Sequence, residues 1–69
     1  MELATILIEE LELGVRAYNI MKRMGVDTAE DLMRVSVQDL NQWTLATGIA
    51  VGLPAAMQIA DAQEELRLA

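Results

Sequence analysis

The sequence predicts an all-α fold, a compact domain of five helices, and three observations carry that prediction. Ala and Leu each occur ten times and Met five times, against one Trp, one Tyr and no Phe. The first group favours helix, and the aromatic residues that favour strands are nearly missing. Apolar residues recur at steps of three and four along most of the sequence, and Ser/Thr-x-x-Asp caps with Gly and Pro punctuate those runs. At 69 residues the protein makes one domain, 1–69, with residues 1–13 as an N-terminal acidic helix or arm and 14–69 as the core. A polypeptide this short buries only about 60% of its unfolded surface.

The elements follow in order. In ELATILIEELEL, Leu3, Ile6, Leu7 and Leu11 fall at helical spacing with glutamates on the other side. From Val15 to Met24, Val15, Tyr18, Met21 and Met24 recur every three residues, joined by Ala17 and Ile20, and Gly25 stops the helix. Thr28 caps the third segment with Asp31 three residues on, turning Leu32 and Met33 inward. Ser36 and Asp39 repeat the device for a fourth helix that carries Leu40 and Trp43 and closes at Gly48. Pro54 opens the last helix, whose apolar line is Ala55, Ile59, Ala62 and Leu66.

The residue inventory excludes most chemistry. There is no Cys and no His, so thiolate and imidazole metal sites, disulfides and the usual neutral-pH general base are all missing. The carboxylate pairs Glu9/Glu10, Glu30/Asp31 and Glu64/Glu65 are sequence neighbours, which point about 100° apart on a helix and do not converge on a substrate. Ser36 is a cap with no base to activate it. No enzyme activity, metal or cofactor is expected. No apolar run approaches the ~20 residues that cross a bilayer, and MELATILIEELEL lacks the positive region of a signal peptide; the expected place is the cytoplasm, with no membrane partner. The hydrophobic share, 54%, is high for a lone monomer and points to a protein partner or a homo-oligomer.

The charge is unevenly dealt. Net charge is −6, yet GVRAYNIMKRMG holds Arg16, Lys22 and Arg23 and no acid, three of the five bases in the protein. On a helix Arg16, Asn19 and Arg23 share one stripe, with Lys22 beside it. Arg and Asn are the side chains with bidentate geometry for phosphates or base edges. A nucleic-acid surface and an ordinary solvated face both fit.

Ile8 to Leu40 resembles the C-terminal domain of the bacterial RNA polymerase alpha subunit. That family runs I-x-x-L-x-L, V-R-x-x-N-x-L-K, G-I/V-x-T, D-L and S/T-x-x-D/E-L. The corresponding residues here are Ile8, Leu11, Leu13; Val15, Arg16, Asn19, Met21, Lys22; Gly25, Val26, Thr28; Asp31, Leu32; and Ser36, Asp39, Leu40. The resemblance implies a helical domain with a helix-hairpin-helix-like unit that binds the DNA minor groove and docks transcription activators. It puts Arg16 and Asn19 at DNA; Lys22 and Arg23, beside them on the helix, would then serve flanking phosphates.

The second half departs from that pattern. Where the family has N-x-G-x-K-S to grip phosphates, the slots after Gly52 read Leu53, Pro54 and Ala55, and no base stands between Arg34 and Arg67. Pro54 contributes no N–H. Since affinity for DNA rests largely on phosphate neutralisation, DNA binding is expected to be weak. The polar loop is replaced by Leu45, Ile49, Val51, Leu53 and Met57, either core of a longer helix or a protein-docking surface. Asp31, Leu32, Ser36, Asp39, Leu40, Gly48, Ile49 and Gly52 are also similar in rhythm to the last helices of sterile alpha motif domains. That likeness implies a protein–protein or self-association module with no nucleic-acid role, and stands as the alternative to a transcription-associated binding module.

Overall fold

The computed structural model describes residues 2–68. Its elements are two 3₁₀ turns, Leu3–Thr5 and Ile8–Glu10, followed by α1 (Val15–Arg23), α2 (Ala29–Met33), α3 (Val37–Thr47) and α4 (Leu53–Leu68). Among the described residues there are four α-helices and no named strand, so the all-α reading stands and the count of five is corrected.

The missing helix is the first. Its backbone is spent on long-range partners: the Ile8 N–H donates to the Asp27 carbonyl at 3.0 Å and the Ala29 N–H to the Ile6 carbonyl at 2.8 Å. Leu7 and Thr28 thereby form an isolated antiparallel bridge. An α-helix would need those same groups for its own i→i−4 bonds, and neither Glu2 nor Leu7 supplies a side-chain cap to start one. Ile8 of this segment is fully buried in the core.

Local chemistry sets the other ends. α1 closes in a Schellman arrangement: the Val26 N–H reaches the Met21 carbonyl at 2.9 Å, the Gly25 N–H reaches Lys22 at 3.1 Å, and Gly25 takes φ +84°. Reciprocal capping boxes open α2 and α3, where Thr28 and Ser36 accept from the N–H groups of Asp31 and Asp39, whose carboxylates accept in return. Gly48, at φ 73°, ends α3.

The core joins Ile8, Ala17, Ile20, Met21, Val26, Leu32, Val51, Ala55 and Ile59. α4 packs on α1 and α2, and α2 on the first 3₁₀ turn. The α1 stripe expected from Val15 is rotated: Ala17, Ile20 and Met21 are buried while Val15, at the first helical position, is exposed. α3 stands apart, with no buried residue; it leans on the core through half-buried Leu40 and Trp43.

Candidate nucleic-acid and docking surfaces

α1 presents its polar face to solvent, and Arg16, Asn19, Lys22 and Arg23 are all exposed there. Lys22 and Arg23 occupy the last turn of the helix, where cations suit the negative end of the macrodipole. The four differ in how they are engaged. Arg16 donates from Nε to the Val51 carbonyl at 2.9 Å, and a second guanidinium N–H donates to the Ala50 carbonyl. Lys22 Nζ donates to Asp27 Oδ1 at 2.8 Å and lies 3.5 Å from Glu9 Oε2. Arg23 has no ion pair among the described residues.

The acid beside this face is Glu9. The Tyr18 hydroxyl donates to Glu9 Oε2 at 3.1 Å. Hydrogen bonding from its own backbone, then from Tyr18, holds the Glu9 carboxyl below its usual range, while the same contact pushes the Tyr18 phenol up. The Lys22 ammonium is held above its usual value, chiefly by Asp27. Lys22 is therefore a tethered cation, and among the described residues Arg23 has no such tether.

The second surface lies between α3 and α4. A groove of about 410 Å³ runs along Val37, Leu40 and Thr44 on α3, the Ala50–Gly52 loop, and Leu53, Ala56 and Ala60 on α4. None of its lining residues is charged. Leu45, Ile49, Leu53 and Met57, four of the five apolar candidates, are exposed. Val51 is corrected to a core residue at 8% exposure, with its carbonyl held by Arg16.

Sequence reasoning misses three contributors. Gln63 Nε2 donates to the carbonyls of Leu32 at 2.9 Å and Val35 at 2.8 Å, tying α4 to the end of α2. Gln58 Oε1 accepts from the Gly14 N–H at 3.2 Å, an approach so close that a Cβ on Gly14 would fall 2.3 Å from that oxygen. Val37 is exposed on the rim of the groove. The only sequence signal for the glutamines is that both sit on the last helix, near the line from Ala55 to Leu66; long-range amide contacts leave no periodic trace.

The protein is similar to DNA-directed RNA polymerase alpha subunits. The one from Mesostigma viride is 57% identical over 35 residues, covering 51% of this chain and 11% of that subunit. The one from Cyanidium caldarium is 59% identical over 34 residues, or 49% of this chain and 11% of the subunit. That of Oenococcus oeni is 49% identical over 35 residues, again 51% and 11%. The protein thus spans about a tenth of the length of the curated relatives it matches. No solved structure matches it. The family model of the C-terminal domain of the bacterial RNA polymerase alpha chain matches residues 1–44. Arg16, Asn19, Lys22 and Arg23 lie inside that match, and Leu45, Ile49, Val51, Leu53 and Met57 lie beyond it. With the match extending over well more than half of its residues, this protein belongs to the family of the C-terminal domain of the bacterial RNA polymerase alpha subunit.

Proposed function

We propose that this domain is a non-catalytic binding module of the transcription machinery, touching DNA weakly through α1 and docking protein through the α3–α4 groove. The observation that carries the reading is the exposed Arg16–Asn19–Arg23 stripe inside the family-matched segment. A guanidinium suits the narrow, strongly negative minor groove of A·T-rich duplex, Asn19 one turn on fixes register, and Lys22 and Arg23 serve phosphates. α3, the turn between Gly48 and Gly52, and α4 are read as the helix-hairpin-helix-like unit. Its first turn on α4 has no charged residue and contains Pro54, so it offers phosphates little.

Weakness follows from the balance of charge. Lys22 is already paired, Arg16 is occupied by loop carbonyls, and the molecule carries −6 overall. Affinity of a non-specific grade, Kd about 10⁻⁴–10⁻⁶ M, fits a site of so few phosphate contacts. Titration of the isotope-labelled protein with A·T-rich duplex, at low and moderate salt, tests this half. Amide shifts at Arg16, Asn19 and Arg23 that fade with salt support it, and unshifted α1 amides at low salt refute it. Nile red, a neutral apolar fluorophore, tests the groove: bound dye should shift Leu40, Thr44, Ala56 and Ala60.

A further inference from the structure

The turn from Gly48 to Gly52 joins α3 to α4 with few bonds of its own. Among the described residues, the only hydrogen bonds that tie it to another part of the fold come from Arg16, whose guanidinium donates to the Ala50 and Val51 carbonyls. Its other bonds are local: the Ile49 N–H donates to Thr47 Oγ1, the Gly48 N–H to the Thr44 carbonyl and the Ala56 N–H to the Gly52 carbonyl. No charge stands between Leu40 and Ala60, so no ion pair formed by the turn can replace Arg16. Of the turn residues only Val51 is buried. A segment with so few long-range bonds belongs to the least stable part of a fold.

The same turn closes one end of the α3–α4 groove, through Ala50, Val51 and Gly52. Gly52 takes φ +84°, and a Cβ there would stand 3.8 Å from Arg16 Nε, so the guanidinium lies against the start of α4 as well. Arg16 also belongs to the exposed polar face of α1, with Asn19 and Arg23. One side chain therefore takes part in both candidate surfaces, and its hydrogen-bond donors are spent on the turn when nothing else is bound.

Resting on the DNA role of α1 and the docking role of the groove, we infer that Arg16 is a latch that sets the two surfaces against each other. Duplex on α1 draws the guanidinium off the Ala50 and Val51 carbonyls, and the freed turn no longer closes the end of the groove. An anionic phosphate takes the guanidinium fork in two parallel bonds, a stronger contact than neutral carbonyls provide. The coupling is reciprocal. An apolar occupant that needs the turn closed keeps Arg16 inward and lowers the affinity for duplex by the same factor. The latch is an exposed contact, which sets its strength at the low end for coupled sites, on the order of fivefold.

Nile red titrations of the wild type, with and without saturating A·T-rich duplex at low salt, test the latch. The amides of Ala56 and Ala60 report binding, and the Kd is referred to free dye so that dye taken up by duplex does not count. Duplex should raise that Kd on the order of fivefold. The backbone order parameters of Val51 and Gly52 should fall from roughly 0.85 toward roughly 0.6. In Arg16→Ala the turn is free from the start: dye should bind as weakly as to the duplex-bound wild type, and duplex should change neither readout. Arg23→Ala keeps the latch and should show the full coupling once enough duplex is added. Wild-type α1 amides that shift with duplex, while dye Kd and turn order parameters stay put, overturn the latch and leave the DNA reading standing. Unshifted α1 amides remove the DNA reading and the latch with it. A groove that takes no dye in either state removes the docking reading and, with it, the antagonism.

Discussion

Arg16 reaches 35 positions along the sequence to donate to the Val51 carbonyl at 2.9 Å, and to the Ala50 carbonyl beside it. One arginine on the outer face of α1 thus fixes the loop that carries a core valine. The contact is charge-assisted, and a hydrogen bond to a charged group is worth ~1.5–3 kcal/mol when well shielded. Arg16 is exposed, so Arg16→Ala should cost only about 1 kcal/mol in denaturant melts after solvent screening. Its local effect should be larger: amide exchange from Ile49 to Gly52 should quicken while exchange in α2 stays unchanged. Uniform loss across the domain would place Arg16 among global rather than local supports.

The same contact bears on DNA. A guanidinium held by two carbonyls must leave them to enter a minor groove, which makes Arg16 a poorer probe of DNA contact than its neighbours. Arg23 is the better one, having no ion pair among the described residues. Arg23→Ala should lower the slope of log K against log salt by about 0.9, one phosphate contact. Lys22→Ala should lower it less, because its charge is already met by Asp27 and Glu9. Equal slopes for the two variants would mean that the Lys22 pairs open on DNA.

Features set by a few neighbouring residues are legible in the sequence. Thr28 with Asp31, Ser36 with Asp39, the stops at Gly25 and Gly48, and the buried line from Ala55 to Ile59 all stand as the spacing predicts. What is not legible depends on partners far along the sequence. Leu3–Leu11 has helical spacing, but Ile6 and Ile8 give their backbone groups to Ala29 and Asp27 instead. Val15 continues the apolar stripe of α1 yet lies exposed at its first helical position. Val51 looks like one more apolar loop residue, yet it is buried in the core while Arg16 holds its carbonyl. The basic stripe can be placed on one face from spacing alone; which of its charges are tethered cannot, since Glu9 and Asp27 reach it from other elements.

The burial of Ile8 sets a sharper test of the N-terminal segment than any helix count. Ile8 is fully buried beside Met21 and Leu32 in the same core. Ile8→Ala and Ile59→Ala should each cost about 2–5 kcal/mol, the range for large-to-small changes in a packed core. Leu45→Ala, at 85% exposure, should cost under about 0.5 kcal/mol. An Ile8→Ala loss as small as that of Leu45→Ala would mean that Ile8 does not support the core.

Asp31 predicts how stability responds to acid. Its carboxylate accepts the N–H groups of Asp27 and Thr28, both at 3.2 Å, and these backbone donors hold its pKa below the ordinary aspartate value of 3.8. The folded value is depressed, so the folded state binds the proton less readily than the unfolded one. The stabilisation is therefore fully present above the unfolded value and is lost as pH falls through the folded value, below the ordinary carboxylate range. Asp31→Asn should be less stable than wild type near neutral pH, and that difference should shrink once the medium is more acidic than pH 3.8. Carbonyl carbon shifts of Asp31 followed through the acid range check the direction. A titration midpoint at or above 3.8, or a stability gap that stays constant down to the acid transition, would show that the capping box of α2 does not discriminate between the two protonation states.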